Sequence, residues 1–123
     1  MIVGMVANIF DVTDDNFEAK VINASTPTVV EFCTTWAGAC RTFAPVYERA
    51  STQWVNLGFA RLDTHANPAS ASQWGIQSVP TIVLFCAGDE VARVAAPSPA
   101  QFNSDLEKWR TSCPPPSYWP APK

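Results

Sequence analysis

The chain has 123 residues, 47% of them apolar and 15% charged, with a formal net charge of -3 and a pI near 4.9. A single domain of this length buries roughly two thirds of the surface its unfolded form exposes, so its core needs neither a metal nor a disulfide to fold. The acidic balance and the lack of a basic patch exclude the electrostatic footprint of a nucleic-acid binder.

The first ten residues, M-I-V-G-M-V-A-N-I-F, read as a strand. They carry no positive flank or small-residue cleavage site, and Asp11 stops the apolar run far short of a membrane span. Thr13 is placed to cap a helix whose first turn holds Asp14 and Asp15, with Phe17, Val21 and Ala24 on one face. After Pro27, the run T-V-V-E-F-C has the near-continuous apolar character of a strand buried on both faces, and Glu31 is its odd member.

Beyond the turn at Gly38, residues Cys40, Phe43, Tyr47, Ala50 and Trp54 recur at helical spacing, with Pro45 expected to kink the helix. G-F-A-R-L-D reads as the next strand. In N-P-A-S-A-S-Q-W-G, Asn67 caps a short helix, Pro68 opens it and Gly75 closes it. V-P-T-I-V-L-F-C and E-V-A-R-V-A, separated by A-G-D, predict a hairpin turned at Gly88. A last helix opens with the capping-box pattern S-P-A-Q and buries Phe102, Leu106 and Trp109. This alternation predicts an α/β fold over residues 1–110, a central mixed sheet of about five strands flanked by four helices. Residues 111–123 are rich in proline, lack periodicity and read as an extended tail.

Cys33, Cys40, Cys86 and Cys113 match neither a zinc pattern nor a dense secreted framework, so a reducing, cytoplasmic setting is expected, with no metal and no cofactor. Cys33 and Cys40 form a conceivable pair, but seven residues and a strand-to-turn geometry give no assurance that the α-carbons come within the roughly 7 Å that bridging requires, and core packing is the preferred reading. Cys113 offers a site for an intermolecular bridge. His65 reads as a solvated loop residue.

From about residue 8 to residue 110 the chain resembles the thioredoxin family. The segment V-V-E-F-C-T-T-W-A-G-A-C-R-T-F-A-P is similar to the family's active-site stretch, in which a strand with a buried acid leads to W-C-G-P-C-K and then A-P. W-G-I-Q-S-V-P-T resembles the family's Y-G-I-R-G-I-P-T, and V-A-A stands where V-G-A is common. The resemblance implies a thioredoxin fold, with Glu31 as the buried acid that relays protons, Trp36 before the site, Cys40 as the resolving cysteine and Pro80 as a cis-proline. It also implies a substrate groove framed by Trp36, Ala37, Gly38, Ala39, Val79, Pro80 and Ala95, taking a protein or peptide partner at a monomer or weak dimer.

Ala37 stands where the family's nucleophilic cysteine is expected, so the dithiol attack has no first thiol. The expected function is therefore impaired or monothiol-only exchange through Cys40, with Glu31 in support. The alternatives are a redox-inactive, chaperone-like module that keeps the peptide groove, and an ordinary scaffold from which the nucleophile alone is lost.

Overall fold

The computed structural model describes residues 7–120. Much of the apolar run at the start of the chain, residues 1–6, lies outside the described residues, as do residues 121–123; the strand there is β1, Ile9–Val12. β2 (Thr28–Cys33), β3 (Gly58–Asp63), β4 (Thr81–Cys86) and β5 (Asp89–Ala95) complete a five-stranded sheet ordered β1-β3-β2-β4-β5. β3 runs parallel to β1 and β2, while β4 runs antiparallel to β2 and β5, giving the mixed sheet expected from the alternation of elements.

Strand side chains alternate across this sheet and so divide the core in two. On one face Val29, Phe59, Ile82 and Leu84 meet Phe43, Tyr47 and Ala50 of α1 (Gly38–Gln53) and Phe102, Leu106 and Trp109 of α3 (Pro99–Trp109). On the other, Val30, Phe32, Ala60, Leu62, Val83 and Phe85 meet Phe17 and Val21, with Trp74 and Ile76 packed alongside. β2 and β4 are buried at every position, as their unbroken apolar runs imply. α1 continues through Pro45, and Ser98 Oγ accepts the Gln101 N–H as the capping pattern predicts.

Three local expectations are corrected. The helix predicted after Thr13 is one π-helical segment, Glu18–Ile22, whose Asn23 N–H reaches back to Glu18 O. Thr13 and Asn16 exchange side-chain and backbone bonds just before it, and Asp14 is drawn elsewhere. Its carboxylate accepts the N–H groups of Ala69 and Ser70 at the start of α2 (Pro68–Gln73), so this short helix is capped from another element. Asn67 precedes α2 without capping it, because its Oδ1 accepts the Asp14 N–H instead. The two residues thus cap across the fold, a trade that local sequence cannot reveal.

The third correction is the tail. Cys113 is bonded to Cys86 at the end of β4, and both Cys113 and Trp119 pack against the α1/α3 side of the core. A 3-10 turn at Pro116–Tyr118 follows, and Trp119 Nε1 donates to Pro114 O. Among the described residues the segment is fastened to the domain rather than extended. Cys113 is consumed within its own chain, so it is not the intermolecular thiol that was expected.

Candidate functional site around Cys33 and Cys40

β2 delivers its last residue, Cys33, to the C-terminal edge of the sheet, and a four-residue turn carries the chain from there into α1. Ala37 is the N-cap of α1, in extended conformation, and offers no side-chain bond to the first turn. Cys40 follows as the third helical residue. Its Cα lies 5.8 Å from that of Cys33, and the two cysteines are joined by a disulfide. No cysteine of the chain is free. Cys40 is therefore not the lone thiol expected from the sequence; the turn folds back tightly enough to bring a strand end and a helix start within bridging reach.

Arg41 helps set that turn by donating from Nη1 to Trp36 O at 2.8 Å. Trp36 is 59% exposed, with its ring edge-on to the His65 ring at a centroid distance of 4.6 Å. His65 is an exposed loop residue, as expected, and its ring also contacts the tryptophan of the turn. The β3–α2 loop that carries it is held by Thr64 N–H to Cys33 O and by Asp63 Oδ1, which accepts the His65 and Ala66 N–H groups.

The disulfide is nearly covered, with Cys33 and Cys40 exposed to 6% and 5%. One side of it opens into a cavity of about 340 Å³ whose walls include Asp11, Arg41, Arg61 and Asp63. Across the turn, a separate cleft of about 260 Å³ is lined by Ala39, Phe43, Pro80, Ala96, Pro97 and Pro99. The Val79–Pro80 peptide is cis, and Pro80 O accepts the Ala96 N–H at 2.8 Å. Of the groove residues expected from the sequence, Ala39 and Pro80 line this cleft. Trp36 and Gly38 stand exposed on the turn with Ala37 half-buried beside them, Val79 is half-buried, and Ala95 pairs with Thr81 while its neighbour Ala96 takes the lining position.

Glu31 is 1% exposed and lies on the same face of β2 as Cys33, two residues away. Its partner is Arg61, opposite it on β3, whose Nε donates to Glu31 Oε1 at 2.8 Å. No cysteine is its bonding partner. Oε2 of Glu31 and Nη2 of Arg61 are buried without partners. Tyr47 from α1 packs beneath the Arg61 guanidinium and donates its hydroxyl to Ala60 O and Val29 O. The signal for Arg61 was present in G-F-A-R-L-D, where it is as anomalous in its strand as Glu31 is in β2; their pairing depends on the register of two strands.

Burial pushes the Glu31 carboxyl above its ordinary value of 4.5, against the hydrogen bond and charge of Arg61 and with a small upward push from Glu48. A carboxyl raised in this way binds protons more readily folded than unfolded, so its contribution to stability is present at low pH and falls as pH rises through about 4.5 to the raised value. Replacing Glu31 by Gln keeps an acceptor for Arg61 and is expected to remove that decline. Urea unfolding of both proteins between about pH 4.5 and 8 measures it, and parallel pH profiles would refute the assignment.

Among the described residues, no group of three or more His, Cys, Asp or Glu side chains could hold a metal ion, and no helix is long and apolar enough to cross a membrane.

The family model described as Thioredoxin matches residues 8–108. A thioredoxin from Synechocystis sp. is 37% identical over 100 residues, covering 80% of this chain and 94% of its own. A bifunctional thioredoxin reductase/thioredoxin from Mycobacterium leprae is 41% identical over 98 residues, which are 78% of this chain and 21% of that larger protein. Among solved structures, the thioredoxin of Malassezia sympodialis superposes with a TM-score of 0.80 at 23% identity, covering 90% of this chain and 98% of the other.

Proposed function

The chain belongs to the thioredoxin family, and from that premise we propose that it performs thiol–disulfide exchange through Cys33 and Cys40 together rather than through Cys40 alone. The observation that carries this reading is their disulfide, which borders an open cavity. A substrate thiolate attacks one sulfur of the pair, giving a mixed disulfide and releasing the other cysteine as a thiolate; a second substrate thiol then resolves the mixed disulfide. Cys40 is the better leaving group. It sits in the first turn of α1, where the helix dipole and the N–H groups that Ala37 leaves uncapped favour a thiolate. Glu31, buried two residues from Cys33 on the same face of β2, with an unpartnered Oε2 and a carboxyl that burial raises above its ordinary value, is the acid placed to exchange a proton with Cys33 when the pair is reduced.

Residues 1–110 form the exchanging unit, acting as a monomer or weak dimer, and a protein or peptide partner lies across Trp36, Gly38, Ala39, Val79, Pro80 and the Ala95–Ala96 segment. A reducing, cytoplasmic setting would return Cys33 and Cys40 to thiols between catalytic cycles. The apolar cleft beside Pro80 favours a second reading, a redox-inactive binding module for an extended peptide.

Insulin reduction driven by dithiothreitol separates these readings. Wild-type protein is expected to accelerate it, and Cys33→Ser to fall to the uncatalysed rate. Retention of the wild-type rate by Cys33→Ser would return the function to Cys40 alone. No acceleration by wild type would leave the binding module.

A further inference from the structure

The sheet order puts two openings on opposite sides of β2 and α1. The apolar cleft lies toward β4, under Pro80 and Ala96, and neither Cys33 nor Cys40 lines it. The 340 Å³ cavity lies toward β3 and β1, and both cysteines line it. The disulfide therefore faces a cavity whose exposed walls are mostly apolar but whose lining includes two guanidinium-bearing side chains, Arg41 and Arg61, and two carboxylate-bearing ones, Asp11 on β1 and Asp63 at the end of β3. Its volume sits at the low end of small-molecule sites, which run from about 300 to 1,000 Å³. That is room for a molecule of amino-acid to short-peptide size.

The charges in the chamber are not used up by one another. Arg61 gives Nε to Glu31 and keeps Nη2 covered without a partner, so it meets the cavity with the rest of its one-third-exposed side chain. Arg41 spends Nη1 on the turn carbonyls, and Asp63 spends Oδ1 on its own loop, leaving the other atoms of each group unengaged. Guanidinium groups recognise a carboxylate and carboxylates recognise an ammonium, and an α-amino-acid group presents both. A chamber offering both charges next to a disulfide fits a small thiol that carries such a group.

Resting on the exchange reading above, we propose that this cavity admits a low-molecular-weight aminothiol bearing a free α-carboxylate and ammonium, with cysteine the simplest example, and that this thiol reduces the Cys33–Cys40 pair. Its carboxylate lies against Arg41 and Arg61 and its ammonium against Asp11 and Asp63. The thiolate of a first molecule attacks Cys33 Sγ; the Cys33–Cys40 bond breaks, and Cys40 leaves as a thiolate at the helix start. A second molecule attacks the sulfur of the first, forming the small disulfide and releasing Cys33. Two electrons and two protons pass from two thiols to the pair, and the only other product is the oxidised dimer of the aminothiol.

The test follows reduction of the Cys33–Cys40 disulfide in oxidised wild-type protein by acid quench and mass spectrometry. Four thiols are compared at equal thiolate concentration: cysteine, cysteamine without the carboxylate, 3-mercaptopropionate without the ammonium, and 2-mercaptoethanol with neither. Cysteine is expected to run about tenfold or more above the reactivity line set by the other three, as a doubly matched charge pair implies. Asp11→Asn, a change at an exposed position, is expected to lower the ratio of the cysteine rate to the 2-mercaptoethanol rate severalfold. Four thiols on one line, with dithiothreitol still reducing the pair, would overturn the aminothiol assignment and leave the exchange reading standing. A pair that dithiothreitol cannot reduce would overturn both.

Discussion

Restoring a thiol at the helix start, by Ala37→Cys, is expected to raise dithiothreitol-driven insulin reduction on the order of tenfold from thiolate fraction alone, with a further gain from accessibility. Ala37 is the N-cap of α1 and is half-buried, whereas Cys33 and Cys40 are almost fully covered. A sulfur on that Cβ meets the uncapped N–H groups of the first turn and the positive end of the helix dipole, both of which favour the thiolate. It also lies three residues before Cys40, on the same face of the helix. The added thiol and Cys33 then compete for Cys40. Peptide mapping is expected to find the 37–40 bridge displacing part of the Cys33–Cys40 bridge. Unchanged insulin reduction with Cys33–Cys40 intact would mean that the added thiol cannot displace Cys33 from Cys40 and that position 37 no longer takes part in exchange.

The frame of the fold was open to sequence reasoning because it rests on local signals. The unbroken apolar run of β2, the stripe from Cys40 to Ala50, the Ser98–Gln101 cap and the Ala87–Gly88 turn each follow from a few neighbouring residues, and each appears where expected. The turn does ask more than glycine freedom at Gly88: Ala87 also has a positive φ, 52°, the backbone that a tight hairpin requires at both central positions. What escaped the sequence is what depends on elements meeting in space. Asp14 and Asn67 cap across more than fifty positions of chain, and Glu31 meets Arg61 only because β2 and β3 are in one particular register.

The site shows the same division. Its parts, Glu31, Trp36, Ala37 and Cys40, were legible as neighbours in one segment, which the structure sets along β2, the turn after it and the start of α1. The pairing of Cys33 with Cys40 was not, since seven residues can separate α-carbons by anything from a tight turn to a long extended span. The turn closes because Arg41 ties back to Trp36 O while Thr64 N–H anchors Cys33 O. The disulfide then faces β3 rather than β4, which separates its sulfurs from the apolar cleft beside Pro80. Acid, helix start and disulfide share one corner; the peptide-sized apolar surface lies across the turn from it.

Cys113→Ser is expected to destabilise the oxidised protein by about 3 kcal/mol, because the Cys86–Cys113 bridge closes a long loop, with 27 residues of separation, that the unfolded chain otherwise explores freely. For a domain of this size that corresponds to a fall in Tm on the order of 10 °C. The loop spans β5 and α3, so the constraint acts on the elements that complete the sheet edge and the α1/α3 core. Comparison with a chain ending at residue 111 separates two contributions. If the loss comes from loop closure, truncation and Cys113→Ser cost the same; if Trp119 packing contributes, truncation costs more, since Trp119 is partly buried against that core. Under dithiothreitol, wild type should converge on Cys113→Ser. A difference below about 1 kcal/mol in oxidised protein would mean that the reduced, unfolded chain already keeps these residues close, and that the tail is held by packing instead of by its sulfur.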